Sequence, residues 1–188
     1  MKPESFRQSL ALFWMLASLG ARITQAAEPA AEVRWTNIRD LGIEGQGWRD
    51  TREPFDRLPA RAEGIVRPAV WSLSRHSAGM HVRFVSDATE IRARWALTSP
   101  NLAMPHMPAT GVSGLDLYVK TGKGTWRWLA VGWPDKQTNN VALISGLPPG
   151  RREFLLYLPL YNGTRSVELG LPPGATLAKA GPWGPGVR

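Results

Sequence analysis

In segment after segment of this chain, apolar side chains recur at every second position. Ile91, Ala93, Trp95 and Leu97 fall on one side of an extended backbone, and Glu90, Arg92 and Arg94 on the other. Met80, Val82 and Phe84 repeat the pattern, as do Leu115, Leu117 and Val119, then Phe154, Leu156 and Leu158, and finally Val167 and Leu169. Successive side chains of a strand point to opposite faces, so this period gives one buried and one wet face. Wound as a helix, the same residues would scatter around the axis and bury nothing in common. Further strands are expected over Glu32–Ile38, Ala69–Leu73, Thr125–Trp133 and Asn140–Ile144. Turn residues separate them: Ser77-Ala78-Gly79, Ser86-Asp87, Thr121-Gly122-Lys123-Gly124, Leu147-Pro148-Pro149-Gly150 and Asn162-Gly163. Short strands with this punctuation predict an all-β fold, a β-sandwich or jelly roll of short antiparallel strands, with essentially no helix outside the N-terminal segment.

That segment reads as an export signal. Lys2 and Arg7 precede the apolar run Leu10–Leu19, and small residues follow up to Ala26-Ala27. The run is shorter than the roughly 20 residues that span a bilayer, and a basic start with a small-residue exit suits signal cleavage after Ala26. The expected organisation is a signal peptide at 1–26, one β-sandwich domain at 27–179 and a linker-like tail at 180–188. The expected address is therefore secreted or periplasmic, with no membrane span after cleavage. Two stretches break the strand rhythm: Asp40–Ala62, expected to wrap the sandwich as an ordered loop, and Thr98–Val112, a long proline-containing crossing.

The sequence has no cysteine, so an exported domain must hold through its core alone. Eight of the nine tryptophans lie outside the signal segment and are expected to supply much of that core. The net charge is +8, but the arginines are spread along the chain and often stand beside acids. That argues against nucleic acid and leaves anionic glycans or cell-envelope polymers as partners for the charge.

Chemistry is sparse. The histidines are His76, His81 and His106, and no cofactor motif or metal set is recognised. Met104-Pro105-His106-Met107 has soft-metal donor types but lacks a second converging group. Gly111-Val112-Ser113-Gly114-Leu115 approaches a nucleophile elbow but fails at its last position and leads into a strand. Gly45-Gln46-Gly47 lacks the third glycine and the helix of a dinucleotide loop. Asn162-Gly163-Thr164 is a glycosylation sequon. Trp126, Trp128 and Trp133, with Tyr118 and Tyr157, are candidates for stacking sugar rings, although one face of each strand must be core.

Ser113-Gly114-Leu115-Asp116-Leu117-Tyr118 resembles the Gly-x-Asp-Leu-Tyr signature of the domain that precedes the catalytic domain in SGNH-hydrolase-type esterases. The likeness extends through Asp40–Trp48, Phe55–Ala60, Val70–Ser74, Val82–Phe84, Leu156–Asn162 and Val167–Gly170, about residues 33 to 178. It implies a jelly-roll-like sandwich leading directly into a catalytic domain. That catalytic domain needs a Gly-Asp-Ser or Gly-Thr-Ser nucleophile turn and an Asp-x-x-His element, neither of which occurs here. Gly114, Leu115, Asp116, Leu117 and Tyr118 are therefore expected to be structural. Asp116 is expected to pair with an arginine such as Arg57 or Arg83, or to accept backbone donors. Leu102, Met104, His106, Met107 and Trp183 are expected to form a domain interface. Three readings stay open: a non-catalytic accessory domain of an exported esterase, a free-standing carbohydrate-binding module, and a subunit completing a hydrolase in trans.

Overall fold

The computed structural model describes residues 32–183; the signal segment read at 1–26 and the end of the tail, 184–188, lie outside the described residues. Among the described residues nine strands form two antiparallel sheets. They are β1 (Arg34–Asn37), β2 (His81–Ser86), β3 (Ile91–Leu97), β4 (Leu115–Lys120), β5 (Trp126–Gly132), β6 (Thr138–Ile144), β7 (Arg152–Tyr157), β8 (Thr164–Leu171) and β9 (Leu177–Lys179). One sheet has four strands in the order β1-β8-β3-β6, the other five in the order β5-β4-β7-β2-β9. Apart from the β4–β5 hairpin, every successive strand changes sheet, so the chain laces the two layers together.

The core lies between the layers. Val82 and Phe84, Leu115 and Leu117, and Phe154 and Leu156 come from the five-stranded sheet. Ile91, Ala93, Trp95, Leu97, Val167 and Leu169 come from the four-stranded one. The alternation in β3 is complete: Ile91, Ala93, Trp95 and Leu97 are buried, and Arg92, Arg94 and Ala96 between them are half-exposed. Each fully buried Leu, Ile or Phe contributes about 1.5–3 kcal/mol, and the indole N–H of buried Trp95 donates to the Ser113 carbonyl at 3.2 Å. The loop expected at Asp40–Ala62 is ordered against the sandwich: Phe55 and Asp56 are buried, and Glu44 makes an antiparallel bridge to His81.

Helices among the described residues are short: α1 (Ile38–Leu41), α2 (Pro68–Ser74), α3 (Ala109–Ser113) and a 3-10 turn at Ala60–Ala62. The strand expected over Ala69–Leu73 is instead α2. Pro68 sits in the first turn with its φ already set for a helix, and no sheet edge receives this segment. Ile38 likewise opens α1 rather than ending β1, because the Asn37 side chain accepts from the Arg39 amide and caps the turn. Strand β9 has no alternating apolar pattern of its own and is held by pairing with β2.

Candidate functional site

Strand register assembles an aromatic and charged face on the outer side of the five-stranded sheet. Because Leu115, Leu117, Phe154, Leu156, Val82 and Phe84 fill the core, the residues between them point outward. One row across the sheet reads Val131, Asp116, Tyr157, His81. The next reads Trp128, Tyr118, Leu155, Arg83. A bulge in β5, where Leu117 faces Ala130 and Tyr118 faces Trp128, turns Leu129 toward the core and leaves Trp126 and Trp128 on the outer face. Leu155 is buried although it points outward, so the surrounding side chains cover the middle of this face.

Arg83 organises one half of the face. Its side chain is 4% exposed. Nε donates to both Glu44 carboxylate oxygens at 3.1 and 3.2 Å, Nη1 to Glu153 Oε1 at 2.9 Å and Nη2 to the Gly181 carbonyl at 2.9 Å. Lys120 Nζ donates to the other Glu153 oxygen at 2.8 Å. The Trp183 ring lies over the guanidinium, 3.9 Å from ring centre to Cζ, and its indole N–H donates to Glu44 Oε2 at 2.6 Å. Burial pushes the Glu44 carboxyl up, but the hydrogen bonds from Arg83 and Trp183, with the charges of Arg83 and His81, outweigh it and hold the group below its usual range. His81 Nε2 lies 3.6 Å from the same carboxylate and is buried without a hydrogen-bond partner.

Aromatic rings occupy the other half. Tyr157 packs against His81 at 5.1 Å and edge-on to Tyr118 at 5.8 Å. Burial first, then the Asp116 and Tyr157 charges, push the Tyr118 hydroxyl pKa up. Trp126 meets Trp183 edge-on at 6.2 Å.

Each signature residue has a physical reason. Gly114 lies where a Cβ would sit 2.3 Å from the Thr110 carbonyl oxygen and 2.9 Å from that of Gly132, so only glycine fits between α3 and β5. Leu115 and Leu117 are core, and Asp116 and Tyr118 face out. Asp116 does not pair with an arginine: Arg83 is committed to Glu44 and Glu153, and Arg57 donates to the carbonyls of His76 and Leu73. Instead Asp116 Oδ1 accepts the Trp128 indole N–H at 3.1 Å. That neighbour comes from the register across the β5 bulge, which composition does not reveal.

The remaining candidates are dispersed. Trp126 is half-buried, whereas Trp128 and Trp133, expected in the core, are 57% and 66% exposed. Trp183 lies clasped over Arg83, so the tail is docked at least through that residue, with Ala180 buried and its amide donating to Arg83 O. Met104 and Met107 bridge each other in a tight turn at the end of the sandwich, Leu102 packs on the core, and His106 is exposed. Ser113 is wholly buried, its Oγ accepting from Asn162 Nδ2 at 3.0 Å, which leaves no accessible nucleophile there. Asn162 is itself buried, so the sequon is not presented as a glycosylation acceptor. Among the described residues no group of three or more His, Asp or Glu side chains converges as for a metal ion, and no helix is long and apolar enough to cross a membrane.

Comparison with known structures and families fits this architecture. The fold is similar to that of a putative GDSL-like lipase from Bacteroides ovatus, with 29% sequence identity and a TM-score of 0.75 over 80% of this chain and 44% of that one. It is also similar in fold to SsfX3, a salicylyl-acyltransferase from a tetracycline biosynthetic pathway, at 20% identity and a TM-score of 0.57, over 80% of this chain and 42% of that one. The chain thus spans less than half the length of either protein. No curated protein matches the sequence. Residues 33–177, carrying the signature on β4 and nearly all of the sandwich, match the model of the GxDLY N-terminus of SGNH-hydrolase-type esterases, and the chain belongs to that family.

Proposed function

We propose that this sandwich is the N-terminal supporting domain of an exported SGNH-type esterase, positioning a catalytic domain rather than cleaving esters itself. The observation that carries this reading is the match of 80% of the chain to less than half of a GDSL-like lipase. That the family is described by the N-terminus of an esterase supports hydrolytic residues lying in a separate, more C-terminal domain. The chemistry of this chain agrees: an acyl-transfer site needs an activated nucleophile and a base within hydrogen-bond reach, and Ser113 is buried against Asn162 with no histidine beside it.

The test is hydrolysis of p-nitrophenyl acetate by the purified chain. Turnover at background is expected; turnover abolished by Ser113→Ala would overturn the reading. Export is part of the same proposal, and N-terminal sequencing of the mature protein is expected to start at Ala27.

A further inference from the structure

We infer that the outer face of the five-stranded sheet, centred on Asp116, Tyr118, Trp128 and Tyr157, is the surface on which an SGNH-type catalytic domain docks. This rests on the reading of the chain as a supporting domain and names the contact that the reading requires. Sequence alone points to the Thr98–Val112 crossing together with the C-terminal tail.

The two outer faces of the sandwich differ in kind. That of the four-stranded sheet is finished for water: Arg94 forms a two-point ion pair with Glu168 and covers Trp35, and Arg92 pairs with Glu90. That of the five-stranded sheet carries Tyr118, Tyr157, Trp126, Trp128 and Trp183 around one buried arginine. Tryptophan, tyrosine and arginine are the residues that dominate protein contacts when enclosed. A mixed aromatic and polar surface suits the more polar interfaces between domains of one chain, which bury about 600–1,500 Å².

The path of the chain selects the same face. Strand β9 lies at the sheet edge, its pairing with β2 continued by Ala180 N–H to Arg83 O; the backbone beyond it is held to the face by Arg83 Nη2 to Gly181 O and by Trp183 over the guanidinium. The described chain therefore reaches its last residue, Trp183, on this surface. In a family defined as the N-terminal part of an esterase, the catalytic domain lies on the C-terminal side of that point.

The signature supplies the anchor. Asp116 holds the Trp128 indole in one orientation while more than half of that side chain stays in water. An apolar ring fixed before contact loses little freedom on being covered, so a partner gains most of its burial. The crossing carries fewer aromatic groups: Leu102 packs on the core, and Met104 and Met107 pair main chain to main chain with their side chains half-buried.

The experiment titrates the full chain with a separately produced catalytic portion of the Bacteroides ovatus lipase, checked as folded by circular dichroism, using calorimetry. Binding is expected, weakened at least about tenfold by Trp128→Ser, as for loss of a central anchor, and weakened in the same direction by Asp116→Ala, which removes the acceptor of the Trp128 indole. The double variant Met104→Ser/Met107→Ser should bind like the parent. Trp128 is exposed, so its serine variant should fold, and unchanged melting confirms that. Full affinity in Trp128→Ser, or loss confined to the methionine variant, overturns the docking face while leaving the supporting-domain reading intact. A parent chain that does not bind at all removes that reading, and the face with it. Retention on insoluble cellulose lost in Trp128→Ser, with domain binding unchanged, would make the face a glycan surface instead.

Discussion

Asp116 and Arg83 stand on neighbouring rows of one sheet face, and their surroundings assign them opposite kinds of importance. Arg83 is almost wholly buried between Glu44 and Glu153, so Arg83→Ala would leave two partly buried carboxylates without their shared cation. Removing one side of such a pair costs roughly 3–5 kcal/mol, and the urea midpoint of Arg83→Ala should fall accordingly. Asp116 makes one side-chain hydrogen bond, to a tryptophan largely in water. Asp116→Ala should lose no more than about 1.5 kcal/mol, the net value of a typical hydrogen bond. Equal midpoints for the two variants would contradict this assignment. Gly114 acts through space rather than charge. A methyl group there meets two carbonyl oxygens of fixed backbone, so Gly114→Ala should cost at least about 1–3 kcal/mol, the range for overpacking.

At the scale of elements, the tail and β9 behave as one strap. Trp183→Ala removes a cation–π contact over a desolvated guanidinium and a hydrogen bond to a carboxylate. The Ala180 amide, bonded to Arg83 O, should then exchange hydrogen faster while the amides of β3 keep their protection. Unchanged exchange at Ala180 would mean that β9 pairing alone holds the strap. The same elements show how far the fold is legible in the sequence. Strands with one fully buried face, β3 above all, announce themselves because every second residue must be apolar. Val70-Trp71-Ser72-Leu73 mimics that alternation over too few residues to separate a strand from a helical turn, and Pro68 decides for the helix. Strand β9 is three residues held by pairing, which leaves no periodic trace. The tail's glycines and prolines resemble a linker, but its described part, 180–183, is held by one tryptophan on a distant arginine. The signature is legible as a motif, whereas its partner Trp128 depends on a register set by a bulge.

Across the whole molecule the titrating groups make stability fall with acid in two stages. His76 is held below its ordinary value of 6.5, by burial first and the Arg57 charge second. A depressed folded-state value means that the unfolded chain takes the proton first, so this contribution is present above pH 6.5 and fades below it. Glu44 lies below its ordinary 4.5 on the five-stranded face, and Glu168 below the same value on the four-stranded face, chiefly through hydrogen bonds from Arg94. Both contribute stability above pH 4.5 and lose it as the pH falls through their folded-state values. Asp56 works against them: burial raises it above 3.8, so its contribution is present in acid and lost as pH rises through its folded-state value. The melting temperature should decline gently below pH 6.5 and more steeply below 4.5. Glu44→Gln keeps an acceptor for Arg83 and Trp183 but removes the charge, so it should melt lower than the parent at neutral pH. That gap should narrow as the parent's own Glu44 becomes protonated. Melting curves of both proteins at neutral pH and well below pH 4.5 decide the point: a gap of constant size would mean that the Arg83 clasp does not depend on the charge of Glu44.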